Sequence, residues 1–313
     1  MQKKNKKTIK SCKNLYCDAI RCALGEFLEV NEEDIENLTK TDIENLIEYA
    51  VIKNKKAGVS ELFIKVPYFG VGIKMLDKYG LKGSEIVSAL QMNNMPASAL
   101  VGERLILEVD NILDYNEPFL SDLKELSARG EIPILFKLGQ NLEDVGKIVN
   151  KFSCSPAEVL ESYGFLDGKC YIYGANFIDK EDQKLLKDYG VEFILSPRSD
   201  GEEGLGAINL YNFIYNQLKF CFSSGKCYNI DMFGECKLAK INTSNLMFDS
   251  KLISVDDLLS AIESEENEEI LIDFDNDSIK ETILDAKINI NVEEYETLRE
   301  KVKQIAKNLK EKR

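Results

Sequence analysis

Short, nearly continuous apolar runs alternate with segments whose apolar positions recur every three or four residues, and this alternation fills the chain up to about residue 245. The runs 61–66, 85–90, 104–109, 133–138, 170–175, 192–196 and 219–224 suit strands covered on both faces, as in a parallel sheet. Between them, 41–55 places Ile43, Leu46, Ile47, Ala50 and Val51 on one stripe, with Thr41 as its N-cap. Segments 118–128 and 142–152 repeat the theme. Ser155-Pro156 opens another helix, with proline in the first turn and Glu158 three residues after the cap serine. Segment 179–189 ends at Gly190, a suitable helix stop. Seven strands in β/α order predict a (β/α)8 barrel or a doubly wound sheet. An eighth strand falls on 14–20, where the signal is weak and the strand reads as truncated.

The pattern changes after about residue 245. Segment 268–273 is a predicted strand, 282–290 a strand pair or irregular extension, and 292–309 a helix. That helix carries Tyr295, Leu298, Val302, Ile305 and Leu309 on one stripe, which must cover this chain's barrel or a neighbour. The expected organisation is a basic tail over 1–13, an α/β unit over 14–245 and a C-terminal strand-and-helix segment over 246–313.

A net charge of −14 excludes an ordinary nucleic-acid partner, because phosphate recognition needs a concentrated basic surface. The basic start lacks an apolar stretch behind it, and no apolar run is long enough to span a bilayer. A cytoplasmic protein with no membrane partner and eight reduced cysteines is expected. None of the cysteines forms a Cys-x-x-Cys pair, and Cys12, Cys17 and Cys22, spaced by five, would not share a helix face. They read as small buried hydrophobes. The chain has no histidine, which removes the commonest zinc ligand and the commonest general base.

Four segments in order carry a family resemblance. They are 132–164 (IPILFKLGQNLEDVGKIVNKFSCSPAEVLESYG), 171–190 (YIYGANFIDKEDQKLLKDYG), 191–206 (VEFILSPRSDGEEGLG) and 219–233 (KFCFSSGKCYNIDMF). Together they resemble strands five to eight, and the turns after them, in the amidohydrolase superfamily's deaminase and chlorohydrolase branch. Ala57-Gly58-Val59 and Tyr79-Gly80-Leu81 are similar, more loosely, to the approaches to its second and third strands. The resemblance implies a (β/α)8 TIM barrel of amidohydrolase type, with functional groups at the C-terminal strand ends.

It also implies a metal held by imidazoles and a carboxylate, with a glutamate and an aspartate moving protons. Lys137 stands at the fifth-strand histidine and Gln140 at the acid/base glutamate. Tyr173 and Asn176 stand at two further histidines, and Gly225 at the eighth-strand aspartate. Only Tyr16 to Asp18 is a candidate for the first-strand metal motif. No catalytic residue and no metal ligand is assigned, and no zinc or iron is expected. The retained positions, Pro197, Ser199, Gly204, Gly206, Asp231 and Phe233, are structural.

The expected function is therefore that of an inactive amidohydrolase-like protein that binds. The partner is a second copy, an active paralogous subunit or a small metabolite. Lys137, Tyr173, Arg198 and Asp200 are the candidate ligand-binding residues; alternatively, Arg198 and Asp200 are surface loop residues paired with each other or with water. A different chemistry is the other class: Lys137 as a Schiff-base or general-base lysine assisted by Tyr173 and Glu108, or residual hydrolysis of carbon–nitrogen bonds.

Overall fold

The computed structural model describes residues 5–94, 104–130, 132–264, 269–274 and 292–313. In chain order the elements are β1 (Asn5–Lys10), β2 (Cys12–Asp18), α1 (Ala19–Leu24), α2 (Glu32–Glu36), α3 (Lys40–Lys56), β3 (Val59–Lys65), α4 (Val71–Tyr79) and β4 (Lys82–Ser88). Then come β5 (Leu105–Val109), α5 (Glu117–Gly130), β6 (Ile134–Leu138), α6 (Leu142–Phe152), α7 (Pro156–Ser162), β7 (Cys170–Gly174), α8 (Lys180–Asp188) and β8 (Glu192–Leu195). The chain continues with α9 (Pro197–Glu202), α10 (Leu210–Tyr215), β9 (Lys219–Phe222), α11 (Met232–Met247), α12 (Val255–Ser260), β10 (Glu269–Phe274) and α13 (Val292–Lys312).

Strands β2 to β9 form one eight-stranded sheet in sequence order, every neighbouring pair parallel. The barrel therefore stands, and the doubly wound alternative falls, because no strand order reverses. β2 is the first barrel strand. Its register against β3 shifts between Cys12 and Lys13 and between Asn14 and Cys17, and it buries the polar Asn14. That irregularity is why its hydrophobic signal is weak.

Closure between β2 and β9 uses unusual pieces. Near the C-terminal strand ends Cys17 bridges Gly225, with Gly225 N–H donating to Tyr16 O (3.0 Å) and Asp18 N–H to Gly225 O (2.9 Å). The Asn14 side chain adds two bonds to Ser224, accepting from its N–H and donating to its hydroxyl. At the other end, Lys13 N–H donates to Ile262 O and Phe222 N–H to Ala261 O, so the stretch after α12 wedges between first and last strands.

Side chains inside the barrel come from alternate positions, as the strand period of two requires. Tyr16, Phe63, Ile86, Ile106, Leu135, Tyr171, Tyr173, Ile194 and Cys221 fill it as a cluster separate from the larger core between strands and helices. β4 starts earlier than its hydropathy suggests, at Lys82. Gly83, at φ +123°, brings its Cα side so close to Leu62 that an added Cβ would lie 2.0 Å from the Leu62 carbonyl oxygen.

Helix starts follow local rules. Ser155 caps α7 in a reciprocal box with Glu158, and proline occupies the first turn. In α3 the cap is Thr39, not the expected Thr41, because Thr39 makes the reciprocal pair with Asp42. α13 carries its stripe against this chain: Leu298, Val302, Ile305 and Leu309 are buried, and Tyr295 stacks on Tyr49 at 5.4 Å. Burying each aliphatic side chain contributes about 1.5–3 kcal/mol.

Within the expected tail, residues 5–10 form a strand and Cys12 begins the barrel. β1 pairs antiparallel with β10, from Asn5 opposite Phe274 to Lys10 opposite Glu269, a partnership across the whole sequence that no local window detects. The expected boundary at 245 falls inside α11. The expected element at 282–290 lies outside the described residues.

Candidate functional site at the barrel mouth

Following the inward-facing alternation one step past the apolar filling brings three side chains to the C-terminal mouth. They are Lys65 from β3, Glu108 from β5 and Lys137 from β6, with Tyr16 of the filling reaching up to Glu108 and Asp110 just beyond β5. Lys65 Nζ lies 2.5 Å from Glu108 Oε2 and 3.6 Å from Asp110 Oδ1. Lys137 Nζ lies 3.4 Å from Glu108 Oε1 and donates to Asp110. Tyr16 donates its hydroxyl proton to Glu108 Oε1 at 2.7 Å. Two ammonium groups thus share one wholly buried carboxylate and one, Asp110, whose side chain is 45% exposed.

The pairing governs the ionisation. Burial alone would lower the Lys65 pKa, but Glu108 and Asp110 outweigh it and hold the ammonium above its ordinary range. Burial raises the Asp110 carboxyl, yet Lys65 and Lys137 bring it below the usual carboxylate range. Asp18, at the end of β2, is likewise pushed up by burial and brought below its ordinary value by Arg21 and Lys65. Arg21 binds Asp18 at 3.0 Å and also reaches the exposed Glu32.

These groups surround a cavity of about 430 Å³, within the range of small-molecule sites. Arg21, Lys65, Lys137 and Lys226 reach it, and Ile20, Ile35, Val66 and Pro67 give it an apolar wall.

A divalent metal does not fit the donor set. The first-strand positions are Tyr16, which donates to Glu108, and Asp18, which is taken by Arg21. Tyr173 is buried below the mouth with its ring 4.2 Å from that of Tyr16. Gly225 cannot simply be an aspartate with its carboxylate in the mouth: a Cβ there would lie 2.6 Å from Ser199 Cβ and 2.7 Å from the Tyr173 hydroxyl. Among the described residues, no three Cys, Asp or Glu side chains are arranged to hold a metal ion. Lys65 and Lys137 place two ammonium groups at the mouth, and like charges so close oppose a divalent ion.

The four candidate ligand-binding residues do not form one site. Lys137 lines the mouth. Tyr173 sits beneath it, 1% exposed. Arg198 and Asp200 belong to a second cluster behind β8, and they are not surface residues paired with each other. Arg198 N–H donates to Glu235 Oε2 at 2.9 Å, and its guanidinium faces Glu235 and Asp231. Asp200 is buried and accepts from Asn176 Nδ2 at 3.1 Å. Burial pushes the Asp200 carboxyl up to about 6, opposed by that bond, and pushes Glu235 up to about 7, opposed by Arg198. Gln140 is packed over Gly174, the last residue of β7.

Lys65, Asp110, Arg21 and Lys226 are the mouth residues that the motifs did not point to, whereas Asp18 lies in the segment named for the first-strand motif. The available signal was local: Lys65 and Asp110 each follow an apolar run that ends a barrel strand, as in FIKVP and LEVD. A charge at that position faces the mouth.

No protein-family model matches the chain. A 95-residue stretch, 30% of the chain, is 25% identical to a 5-methylthioadenosine/S-adenosylhomocysteine deaminase of Caldicellulosiruptor saccharolyticus, of which it spans 22%. Among solved structures, a zinc-bound adenosine deaminase from Xanthomonas campestris superposes with a TM-score of 0.79 at 10% identity, over 96% of this chain and 86% of that one. Guanine deaminase from C. acetobutylicum, with guanine bound, gives 0.66 at 16% identity, over 97% and 84%. These structural likenesses are of fold, and the fold is the one the sequence resemblance implied.

Proposed function

We propose that this amidohydrolase-type barrel acts by binding a small metabolite or a partner subunit, and that it carries out no metal-assisted hydrolysis. The observation supporting this reading is the paired cluster of Lys65, Glu108, Asp110 and Lys137 at the mouth. Hydrolysis in this fold needs a polarising cation, an activated water and a group that takes and returns its proton. Here the cations are the protein's own and are already neutralised. Tyr16 occupies Glu108 from below. Gln140 has no proton to exchange at neutral pH.

The amine alternative needs Lys137 free to meet a carbonyl. Its ammonium is engaged by Asp110 and Glu108, so a carbonyl would have to displace both. The retained family positions are accounted for by folding: Asp231 caps α11 through Gly234 N–H at 2.8 Å, and Pro197 opens α9. Native mass spectrometry of the purified protein tests the reading. A co-purifying small molecule or second chain supports it. Turnover of a purine or other amidine substrate, abolished by Lys137→Met, would replace it with an enzyme; borohydride trapping of a carbonyl adduct at Lys137 would do the same.

A further inference from the structure

The four cations at the mouth differ in how firmly their counterions are held. Glu108 and Asp18 are fixed: their side chains are 0% and 6% exposed. The others are loose, with Glu32 80% exposed and Asp110 45%. Lys226, at the rim, is paired with Glu203 at 2.5 Å, both about one-third exposed. The cations themselves are more sheltered, the Lys137 side chain 12% exposed and Arg21 20%. A sheltered cation with a solvent-exposed partner is a site at which that partner can be exchanged, because the carboxylate regains water when it leaves.

Asp110 is the member best placed for exchange. It reaches both Lys65 and Lys137, the position an incoming anion would take to bridge the two ammonium groups. Arg21, Lys65, Lys137 and Lys226 already outnumber the acids Asp18, Glu32 and Asp110 in the cavity lining, and if Asp110 and Glu32 swing outward the lining becomes more strongly positive. The apolar wall of Ile20, Ile35, Val66 and Pro67 then suits a short hydrocarbon body.

We infer that the mouth binds a small organic anion, a carboxylate or phosphate ester with a short apolar part, which displaces Asp110 from Lys65 and Lys137. This deepens the binding reading above and rests on it. Asp110 acts as an internal competitor: a carboxylate of the chain holds the place of the ligand's own.

Calorimetric titration of the full chain at low ionic strength, with inorganic phosphate and separately with succinate, tests the inference. Asp110→Asn removes the competitor and is expected to tighten anion binding about tenfold, while Lys137→Met loosens it by a similar factor. Lys226→Met, at the exposed rim, provides a second loosening variant should Lys137→Met fold poorly. A preference for phosphate assigns a phosphate ester, and a preference for succinate assigns a carboxylate. Absence of heat with both anions in wild type and Asp110→Asn overturns the inference, as does equal binding of the neutral probe acetamide. Those results leave the binding reading standing, which fails separately on metal content or turnover.

Discussion

The barrel carries two polar clusters, and their acids are shifted in opposite directions. At the mouth, Lys65 and Lys137 stand beside Glu108 and Asp110, and the flanking acids Asp18 and Asp110 are held below their ordinary range. After β8, Asp200 and Glu235 are buried and raised, to about 6 and about 7, because their partners are an amide and one partly satisfied guanidinium. Asp200 Oδ1, Asn176 Oδ1 and Glu235 Oε1 are buried without a hydrogen-bond donor, and so is Glu108 Oε2 at the mouth, which instead faces the Lys65 ammonium in an ion pair at 2.5 Å. Burial raises the acids in both places; the difference is whether a cation is near enough to outweigh it. The mouth pairs its acids with lysine and arginine cations, whereas the second cluster is poised to take up protons.

The largest expected effect comes from breaking the paired cluster. Lys65→Met leaves the buried Glu108 with only Lys137 at 3.4 Å and the Tyr16 hydroxyl. Removing one partner of a buried pair typically costs about 3–5 kcal/mol, read as a lower urea midpoint. A loss under about 1 kcal/mol would show that the Lys65–Glu108 pair is hydrated rather than buried.

The second cluster should show its character in pH. A carboxyl whose folded pKa is raised binds its proton more tightly in the folded state, so stability falls as pH rises between the unfolded and folded values. For Asp200 the window runs from 3.8 to about 6. The full contribution is about 3 kcal/mol. Glu235 adds the same sign from 4.5 to about 7. Asp200→Asn is expected to match wild type near the acid end of this window and exceed it at neutral pH; parallel stability curves would refute the assignment. Asp18, Asp110 and Lys65 at the mouth contribute no slope there. The depressed acids lose their contribution only as pH falls through their folded values, and Lys65 loses its contribution only as pH rises past the ordinary lysine range.

Gly225 separates the two clusters and offers the smallest effect. Gly225→Asp restores the residue type the family resemblance expects, but its side chain meets Ser199 and Tyr173. Overpacking of this kind costs about 1–3 kcal/mol, and the variant should gain no zinc affinity. Zinc uptake by this single variant would show that the metal site is intact but for one ligand.

Much of this was legible in the chain. Seven strands followed from compact apolar runs, and β2 was faint for a physical reason: Asn14 is buried to close the barrel through Ser224. β1 was invisible because NKKTIK gains its structure only by pairing with β10. Lys137 was found because a motif position pointed to it. Lys65 and Asp110 come from β3 and the end of β5, where no quoted motif lies, and only the closed barrel brings them to Lys137. Arg198 and Asp200 looked alike as neighbours in a loop, yet α9 turns them toward different partners, Glu235 and Asn176.

The central claim is that the paired lysines at the barrel mouth leave no place for a divalent cation. Metal analysis of protein expressed with supplemented zinc and iron, purified without chelator, tests it most directly. The account predicts only trace metal, with no gain on zinc titration and no change in thermal unfolding on adding chelator. Stoichiometric zinc or iron that stabilises the protein would contradict it.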